Sequence, residues 1–350
     1  MPSLSLADFP LWFLRGFVVA FGLLWGSFLN VVIYRVPRGM SVVRPPSHCP
    51  GCGKPIAPYD NIPVLSYLVL RGRARCCGVR MSPRYPLVEL IGGALSLAVF
   101  ERMVLQQPYA LVLPLGRMAA IYASDFAVSL ALVAAAFIDA EYMFLPDSIT
   151  LGGALVGFGT ASLRGLSLFD SVLGAAIGFG VLWTVDVVYK LIRGRTGMGM
   201  GDAKLLLLTG AWLGWTGVLF TLLLGSIQGV FGSILITLAR GKLDEPEAVL
   251  AERRELRRLA DEGDEEARQE LEEDPLGDEP RQGFFQSRLP FGPYLILGFL
   301  EMLFAGDAVI AGFYAFSNFL FGLGTRLVAL LTGLLVAVLI ALLARRRRTR

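Results

Sequence analysis

Apolar runs of about 20 residues with few charges recur along this chain, and they restrict its fold more than any other feature. A helix needs about 20 apolar residues to cross the hydrocarbon of a bilayer, because each residue advances it by only about 1.5 Å. Such runs fall near 11–33, 86–105, 119–138, 148–163, 169–192, 203–215, 217–239, 294–316 and 323–344. Backbone polar groups in hydrocarbon must be satisfied within the protein, which for runs of this length means helices. Charged residues make up 17% of the 350, and mean hydropathy is +0.61; a soluble domain carries about 25% charged residues. A large soluble core does not explain so many separate charge-poor apolar blocks. The chain is therefore read as an all-α polytopic membrane protein with about nine transmembrane helices. The 148–163 segment is marginal in length, and 203–239 is read as two spans joined near Trp215 and Thr216.

The distribution of charge orients these spans. Residues 35–84 hold nine Arg or Lys and one acidic residue, Asp60, and the chain ends in Arg345, Arg346, Arg347, Arg348 and Arg350. Basic loops stay on the cytoplasmic side. Counting spans from the 35–84 loop places Asp139 and the 193–202 loop on the cytoplasmic side, and an odd number of spans returns the arginine tail there. The two basic signals thus agree. The arginines flank apolar spans with no recognisable binding module, so no nucleic-acid partner is expected. The first span, Leu11 to Ile33, is longer than the apolar core of a signal peptide and lacks a small-residue cleavage site, so it is read as a retained anchor.

These shifts divide the chain into a first transmembrane helix (1–34), a basic cytoplasmic cysteine loop (35–85), a membrane core (86–239), a charged cytoplasmic insertion (240–290), C-terminal transmembrane helices (291–344) and a basic tail (345–350). The 240–288 stretch holds 16 acidic and 9 basic residues, and is read as a solvated charged helix or tether. Gly152, Gly153, Gly157, Gly159, Gly174 and Gly178 are read as helix-packing positions.

Two aspartates stand at the ends of apolar runs. Asp139 follows Leu130 to Ile138, and Asp202 closes Gly197-Met198-Gly199-Met200-Gly201-Asp202 before another run. Ionisable groups at membrane depth are costly and usually functional. Two carboxylates sharing one proton activate water against a peptide carbonyl: the ionised member takes the water proton and the protonated member polarises the carbonyl. The plainer reading is that both cap helices. The glycines before Asp202 argue for more, since they permit unusual backbone angles and close approach of another segment. A phosphate-binding loop is excluded by the missing Gly-Lys-Ser/Thr ending.

With these residues the chain resembles the bacterial prepilin peptidases, or type IV leader peptidases, which are Gly-x-Gly-Asp intramembrane aspartic proteases. The resemblance is carried in order by Gly26-Ser27-Phe28-Leu29-Asn30-Val31-Val32-Ile33-Tyr34-Arg35, Pro45 to Cys52, Ser82-Pro83-Arg84-Tyr85-Pro86-Leu87-Val88-Glu89, the Asp139 to Asp147 segment, Gly197 to Lys204, and Pro290-Phe291-Gly292-Pro293. It implies that Asp139 and Asp202 are the catalytic pair, with Asp147, Gly199, Gly201 and Lys204 as accessory residues. Asp147 is the alternative first aspartate, although its place after Pro146 also suits a helix cap. Lys204 either tunes the pair or meets lipid phosphate. The resemblance implies an eight-helix core, which makes 323–344 an additional C-terminal helix or marks a wrong division upstream. It further implies a multi-pass protein of the bacterial inner membrane with its active site facing the cytoplasm. The substrates would be type IV prepilins or type II secretion pseudopilins, cut after a glycine, with membrane lipid around the enzyme. Most members of the family also methylate the new N-terminus with S-adenosylmethionine.

All four cysteines lie in the basic loop: Cys49, Cys52, Cys76 and Cys77. A cytoplasmic loop disfavours disulfides. Cys49-Pro50-Gly51-Cys52-Gly53 is a knuckle of the zinc-binding type. The family pattern has a second Cys-x-x-Cys, but here Ala74 takes its first position and Cys76 adjoins Cys77. A four-cysteine zinc site therefore requires Cys76 as the substitute ligand, with His48, the single histidine, as the alternative. The competing reading is a small loop with reduced thiols. Two further functions stay open: another Gly-x-Gly-Asp protease, such as a preflagellin peptidase or a presenilin-like enzyme, and an ion- or proton-coupled transporter, for which no inverted repeat is evident.

Overall fold

The computed structural model describes residues 4–193, 199–240, 246–273 and 290–348. Among these residues there are isolated β-bridges but no strand, and every long element is a helix. The principal helices are α1 (Leu11–Arg35), the short α2 (Leu65–Val69), α3 (Arg84–Val99), α4 (Leu115–Tyr142), α5 (Asp147–Thr160), α6 (Leu168–Arg193), α7 (Met200–Arg240), α8 (Glu247–Asp261), α9 (Glu265–Glu273) and α10 (Gly292–Arg348). Five helical stretches among the described residues are long and apolar enough to cross a membrane: Leu11–Arg38, Leu115–Tyr142, Leu168–Ile192, Met200–Ala239 and Gly292–Phe319. The all-α membrane architecture follows from them.

Proline and glycine set most boundaries. Pro10, Pro114 and Pro146 stand immediately before α1, α4 and α5, where a missing N–H costs the helix nothing. The apolar run 203–239 is one helical stretch interrupted at Gly214, whose φ of 68° and ψ of −174° turn the chain. That break lies one residue before the expected joint. The last two apolar segments divide differently: the backbone departs from helical angles at Ala305 (φ −138°, ψ 20°), not between 316 and 323. From Ala305 onward the chain is a separate unit, helical to Arg348. At 14 residues α5 reaches only about 21 Å, and it is prolonged by a 3-10 turn, Ala161–Arg164.

Without water to drive apolar groups together, membrane helices associate through small residues and interhelical polar contacts. Both appear here. The backbones of α6 and α7 touch where Gly174 meets Gly210 and Gly214, and those of α1 and α3 touch where Gly22 and Gly26 meet Gly92 and Gly93. Ser171 Oγ donates to the Ala211 carbonyl at 2.7 Å, and Trp212 Nε1 to the Gly153 carbonyl at 2.8 Å. Arg164, in the α5–α6 turn, donates to the Gly157 carbonyl and Thr160 Oγ1, both at 2.7 Å, and lies 3.9 Å above the Trp212 ring. Among the expected packing glycines, Gly153, Gly157, Gly174 and Gly178 abut neighbours, whereas Gly152 and Gly159 face open space.

Helix α4 joins two apolar cores. Leu132 and Ala135 pack with Ala154, Leu205, Trp212, Leu295 and Phe299, while Phe126 and Ile138 pack with Ile33 and Val88. Two-thirds of its most apolar window is buried inside the protein, the largest share of the five spans. The helix with the least free surface therefore carries the buried Asp125 and Asp139.

The charged insertion forms α8 and α9, joined through Gly263 at φ 100°. It is not wholly solvated: α8 packs against α4, and Val249, Arg253 and Ala267 are buried. Several other charges pair along the helices, Arg258 with Glu255 and Glu262 and Arg268 with Glu265.

Candidate active site

Asp139 lies in the last turn of α4, and its backbone carbonyl accepts the N–H of Met143 at 2.8 Å. Met143 then takes a left-handed conformation (φ 52°, ψ 38°) that ends the helix, and Phe144, Leu145 and Pro146 lead into α5. Asp202 is the third residue of α7. There the first-turn N–H groups lack helical partners and favour negative charge. The end of one helix and the start of another thus supply the two carboxylates, and Asp202 lies within electrostatic reach of Asp139.

Asp139 is 6% exposed, and its Oδ2 has no partner in hydrogen-bonding geometry among the described residues, the backbone N–H of Gly292 lying near the carboxylate. A buried oxygen without a partner carries a desolvation cost, which argues for a functional rather than a capping role. Against that oxygen lies the start of α10. A Cβ placed on Gly292 would stand 2.6 Å from Asp139 Oδ2 and 3.3 Å from Leu145 Cδ1; one on Gly201 would stand 3.2 Å from Leu145 Cβ. Leu145, itself buried, is a wedge between the segments that carry Gly201 and Gly292.

The accessory residues separate into distinct groups. Lys204 Nζ donates to both oxygens of Asp147, at 2.7 and 2.8 Å. Asp147 is the first residue of α5, with Pro146 in the capping position, so the carboxylate goes to the lysine rather than to a cap. Gly201 is crowded by Leu145, whereas a Cβ on Gly199 would meet nothing within 4 Å among the described residues. Gly197 lies outside the described residues. Gly292 and Leu145 carried no role in the sequence reading; the signal was a glycine between Phe291 and Pro293 at a helix start.

A second cluster lies in the 36–83 loop. Cys49 N–H donates to the Lys54 carbonyl and Gly53 N–H returns to the Cys49 carbonyl; likewise Ala74 N–H donates to Val79 and Gly78 N–H returns to Ala74. These two knuckles face each other. Their four Sγ atoms lie within 4.8 Å of one another, with Cys52–Cys76 at 3.3 Å, Cys49–Cys77 at 3.6 Å and Cys76–Cys77 at 3.9 Å. Zn–S bonds of about 2.3 Å in a tetrahedron separate sulfurs by about 3.8 Å, so the donor set fits a zinc ion. All four cysteines are free thiols. Ala74 keeps the turn of its knuckle while Cys76 brings the thiol, which removes the geometric objection to that substitution. His48 is exposed and its Nδ1 lies 3.4 Å from the Pro46 carbonyl, outside the cluster. The Gly51 backbone N–H pulls the Cys49 thiol down to about 6, and hydrogen bonding with Cys52 pushes Cys76 up to about 12.

Two contacts tie this loop to the end of α4. Arg84 donates to Glu141 Oε1 at 2.7 Å, and Arg38 lies 4.1 Å over the Tyr34 ring and 5.5 Å from that of Tyr142. Glu141 and Tyr142 follow Asp139 by two and three residues.

Comparison with known proteins agrees with this division. Residues 20–103 match the family described as Bacterial Peptidase A24 N-terminal domain, and residues 126–234 match the Type IV leader peptidase family. Similar proteins include one from Myxococcus xanthus (strain DK1622), 44% identical over 229 residues, 65% of this chain and 64% of that protein. Another, from Aeromonas hydrophila, is 40% identical over 266 residues, 68% of this chain and 86% of its own. A third, from Pseudomonas aeruginosa, is 32% identical over 349 residues, covering 91% of this chain and all of that protein. Each bears the name Prepilin leader peptidase/N-methyltransferase. The chain thus spans just under two-thirds of the Myxococcus protein and most or all of the other two. No solved structure matches the chain.

Proposed function

The chain belongs to the type IV leader peptidase family, and we propose that it is a membrane aspartic endopeptidase that removes the leader of prepilins and then methylates the new N-terminus. Asp139 and Asp202 act as the dyad. The observation that carries this reading is the buried Asp139 oxygen left without a partner, beside a second carboxylate at a helix start.

The chemistry follows from two carboxyls holding one proton between them. The ionised carboxylate takes a proton from water as the water oxygen adds to the carbonyl carbon of the glycine that precedes the scissile bond. The protonated partner donates toward the carbonyl oxygen. Collapse of the tetrahedral adduct breaks the C–N bond, and the proton taken from water passes to the leaving amine. Asp147 and Lys204 neutralise each other beside the dyad and hold α5 against α7. S-adenosylmethionine is the methyl donor of the second reaction.

The four cysteines hold a structural zinc ion that fixes the loop. The 35–84 loop faces the cytoplasm of a bacterial inner membrane, which puts the dyad on that side. The substrates are type IV prepilins and type II secretion pseudopilins, whose hydrophobic segments remain in lipid during cleavage.

Mass spectrometry of a prepilin incubated with membranes holding wild type, D139N or D202N tests this reading. We expect loss of the leader with wild type alone, and one added methyl group when S-adenosylmethionine is present. Cleavage surviving in D139N would transfer the first role to Asp147. An intact substrate with wild type would sink the peptidase assignment.

A further inference from the structure

One face of α2 is apolar and bare. Leu65, Leu68 and Val69 are 55%, 65% and 67% exposed, and Ile62 just before them is 47% exposed. Adjoining large apolar side chains left open in this way mark an interaction surface. We propose that α2 lies in the cytoplasmic leaflet of the membrane, where this face meets acyl chains and the arginines that follow it hold acidic phospholipid headgroups. This rests on the spanning role of α1 and α3, and not on the peptidase chemistry.

Depth is the first argument. Val64, at the start of α2, donates its N–H to Glu89 Oε2 at 2.7 Å. Glu89 is buried and stands five residues inside α3, which begins at Arg84; that is about 7 Å along the helix. Val64 and Leu70 also line one cavity with Phe28 of α1, seven residues before that helix ends at Arg35, or about 10 Å. The segment therefore lies below the ends of both helices, at the level where Leu87 and Leu90 of α3 are exposed. Interfacial helices bury their apolar face about 5–10 Å into the boundary between headgroups and acyl chains.

A segment stays at that depth only if its backbone polar groups are satisfied within the protein. Ile62 N–H donates to Ser66 Oγ at 3.1 Å, and the same hydroxyl donates to the Tyr59 carbonyl at 3.0 Å. The N–H groups of Ser66, Leu68 and Leu70 donate to the carbonyls of Ile62, Val64 and Ser66. Val64 reaches Glu89 with φ 59° and ψ −46°, strain that a β-branched residue accepts only where surrounding contacts impose it. The carboxylate thus moors the start of α2 against α3.

Charge identifies the lipid. Arg71, Arg73 and Arg80 follow α2, all exposed and without an acidic partner among the described residues, while Asp60 is held by Arg75 at 2.8 Å. Apolar side chains followed by long basic ones suit a bilayer surface, with the stems in the acyl region and the guanidinium groups at the phosphates. A two-fold contact between copies of this chain through the same face would set these arginines against their own counterparts.

Full-length protein carrying a fluorescent amino acid in place of Leu68, Phe17 or Lys54 is placed in nanodiscs whose acyl chains bear bromine near the headgroup or near the chain end. We expect quenching at Leu68 by bromine near the headgroup, at Phe17 of α1 by bromine near the chain end, and at Lys54 by neither. With photoactivatable phosphatidylglycerol or phosphatidylcholine, crosslinks to peptides within residues 62–80 should favour phosphatidylglycerol. Arg71→Gln and Arg73→Gln should each lower that preference, by about fivefold. An unquenched Leu68 beside a quenched Phe17 overturns the proposal, whether crosslinking then joins α2 to a second copy or leaves it in water. Quenching at Leu68 without a preference for the acidic lipid overturns the role of the arginines. An unquenched Phe17 strikes the spanning role of α1, and the proposal with it. Prepilin cleavage enters none of these outcomes, so the peptidase reading stands or falls separately.

Discussion

Gly292 presses its backbone so close to Asp139 that a Cβ at position 292 would stand 2.6 Å from the buried Oδ2. The start of α10 thus walls one side of the carboxylate, and no side chain fits between them. Gly292→Ala must push one of the two aside. We expect cleavage to fall by about 100-fold, the cost of misplacing a catalytic group by about 1 Å. Gly152 faces open space, so Gly152→Ala should leave cleavage near wild type. Equal activity of both variants in a prepilin cleavage assay would remove α10 from the site.

The Lys204–Asp147 pair is half-open, with side-chain exposures of 27% and 57%. Exposed pairs contribute about 0–1 kcal/mol, so Asp147→Asn and Lys204→Met should each lower thermal stability only slightly. Each should slow cleavage about tenfold at most, by loosening α5 against α7. The double variant should be no worse than either single one, because both remove the same contact. A loss with Asp147→Asn as complete as with D139N would make Asp147 part of the dyad.

Arg164 is the positive charge facing the buried Asp125, whose Oδ1 has no hydrogen-bond partner among the described residues. Truncating Arg164 leaves a buried carboxylate with less compensating charge and removes the guanidinium's hydrogen bonds to Gly157 and Thr160. Arg164→Met should therefore lower the melting temperature in detergent sharply, and adding Asp125→Asn should restore part of the loss. The absence of any rescue would show that the Trp212 stacking and the carbonyl contacts, not the charge pair, hold this corner.

The thiol cluster makes the loop sensitive to pH and to chelators. Cys49, pulled down to about 6, is ionised in the folded loop above that value, whereas an ordinary thiol ionises near 8.5. Its contribution to stability is present above about 8.5 and is lost as pH falls through about 6. Cys76, pushed up to about 12, has the opposite sign: it disfavours the metal-free loop increasingly above about 8.5. Metal binding needs all four thiolates, so protons compete with zinc. We expect one zinc per chain by elemental analysis at neutral pH, loss of metal on acidification below about pH 6, and no stoichiometric zinc in Cys76→Ser. Retention by His48→Ala would agree with the position of His48 outside the cluster. Full zinc content in Cys76→Ser would refute the four-thiol site.

The order of helices was legible in the sequence because crossing hydrocarbon is a local requirement: apolar length and the scarcity of charge state it residue by residue. Gly214 was nearly legible for the same reason, as a glycine inside a run too long for one crossing. The break at Ala305 was not, since alanine favours helix and nothing local marks the change. The aspartates could be singled out because charges at the ends of apolar runs are expensive.

Their surroundings could not be read this way. Lys204 meeting Asp147, Leu145 wedged between Gly201 and Gly292, and α10 closing on Asp139 are contacts between segments far apart in the chain. The four thiols converge despite irregular spacing because two separate knuckles face each other, a relation that spacing alone does not contain. By itself the sequence determined an all-α membrane chain and which ionisable residues stand at the ends of its apolar runs. Only the tertiary structure decided which of them are buried without a partner, which neutralise one another, and where a cavity remains, because each depends on how closely helix backbones approach, and glycines on both sides of an interface set that distance.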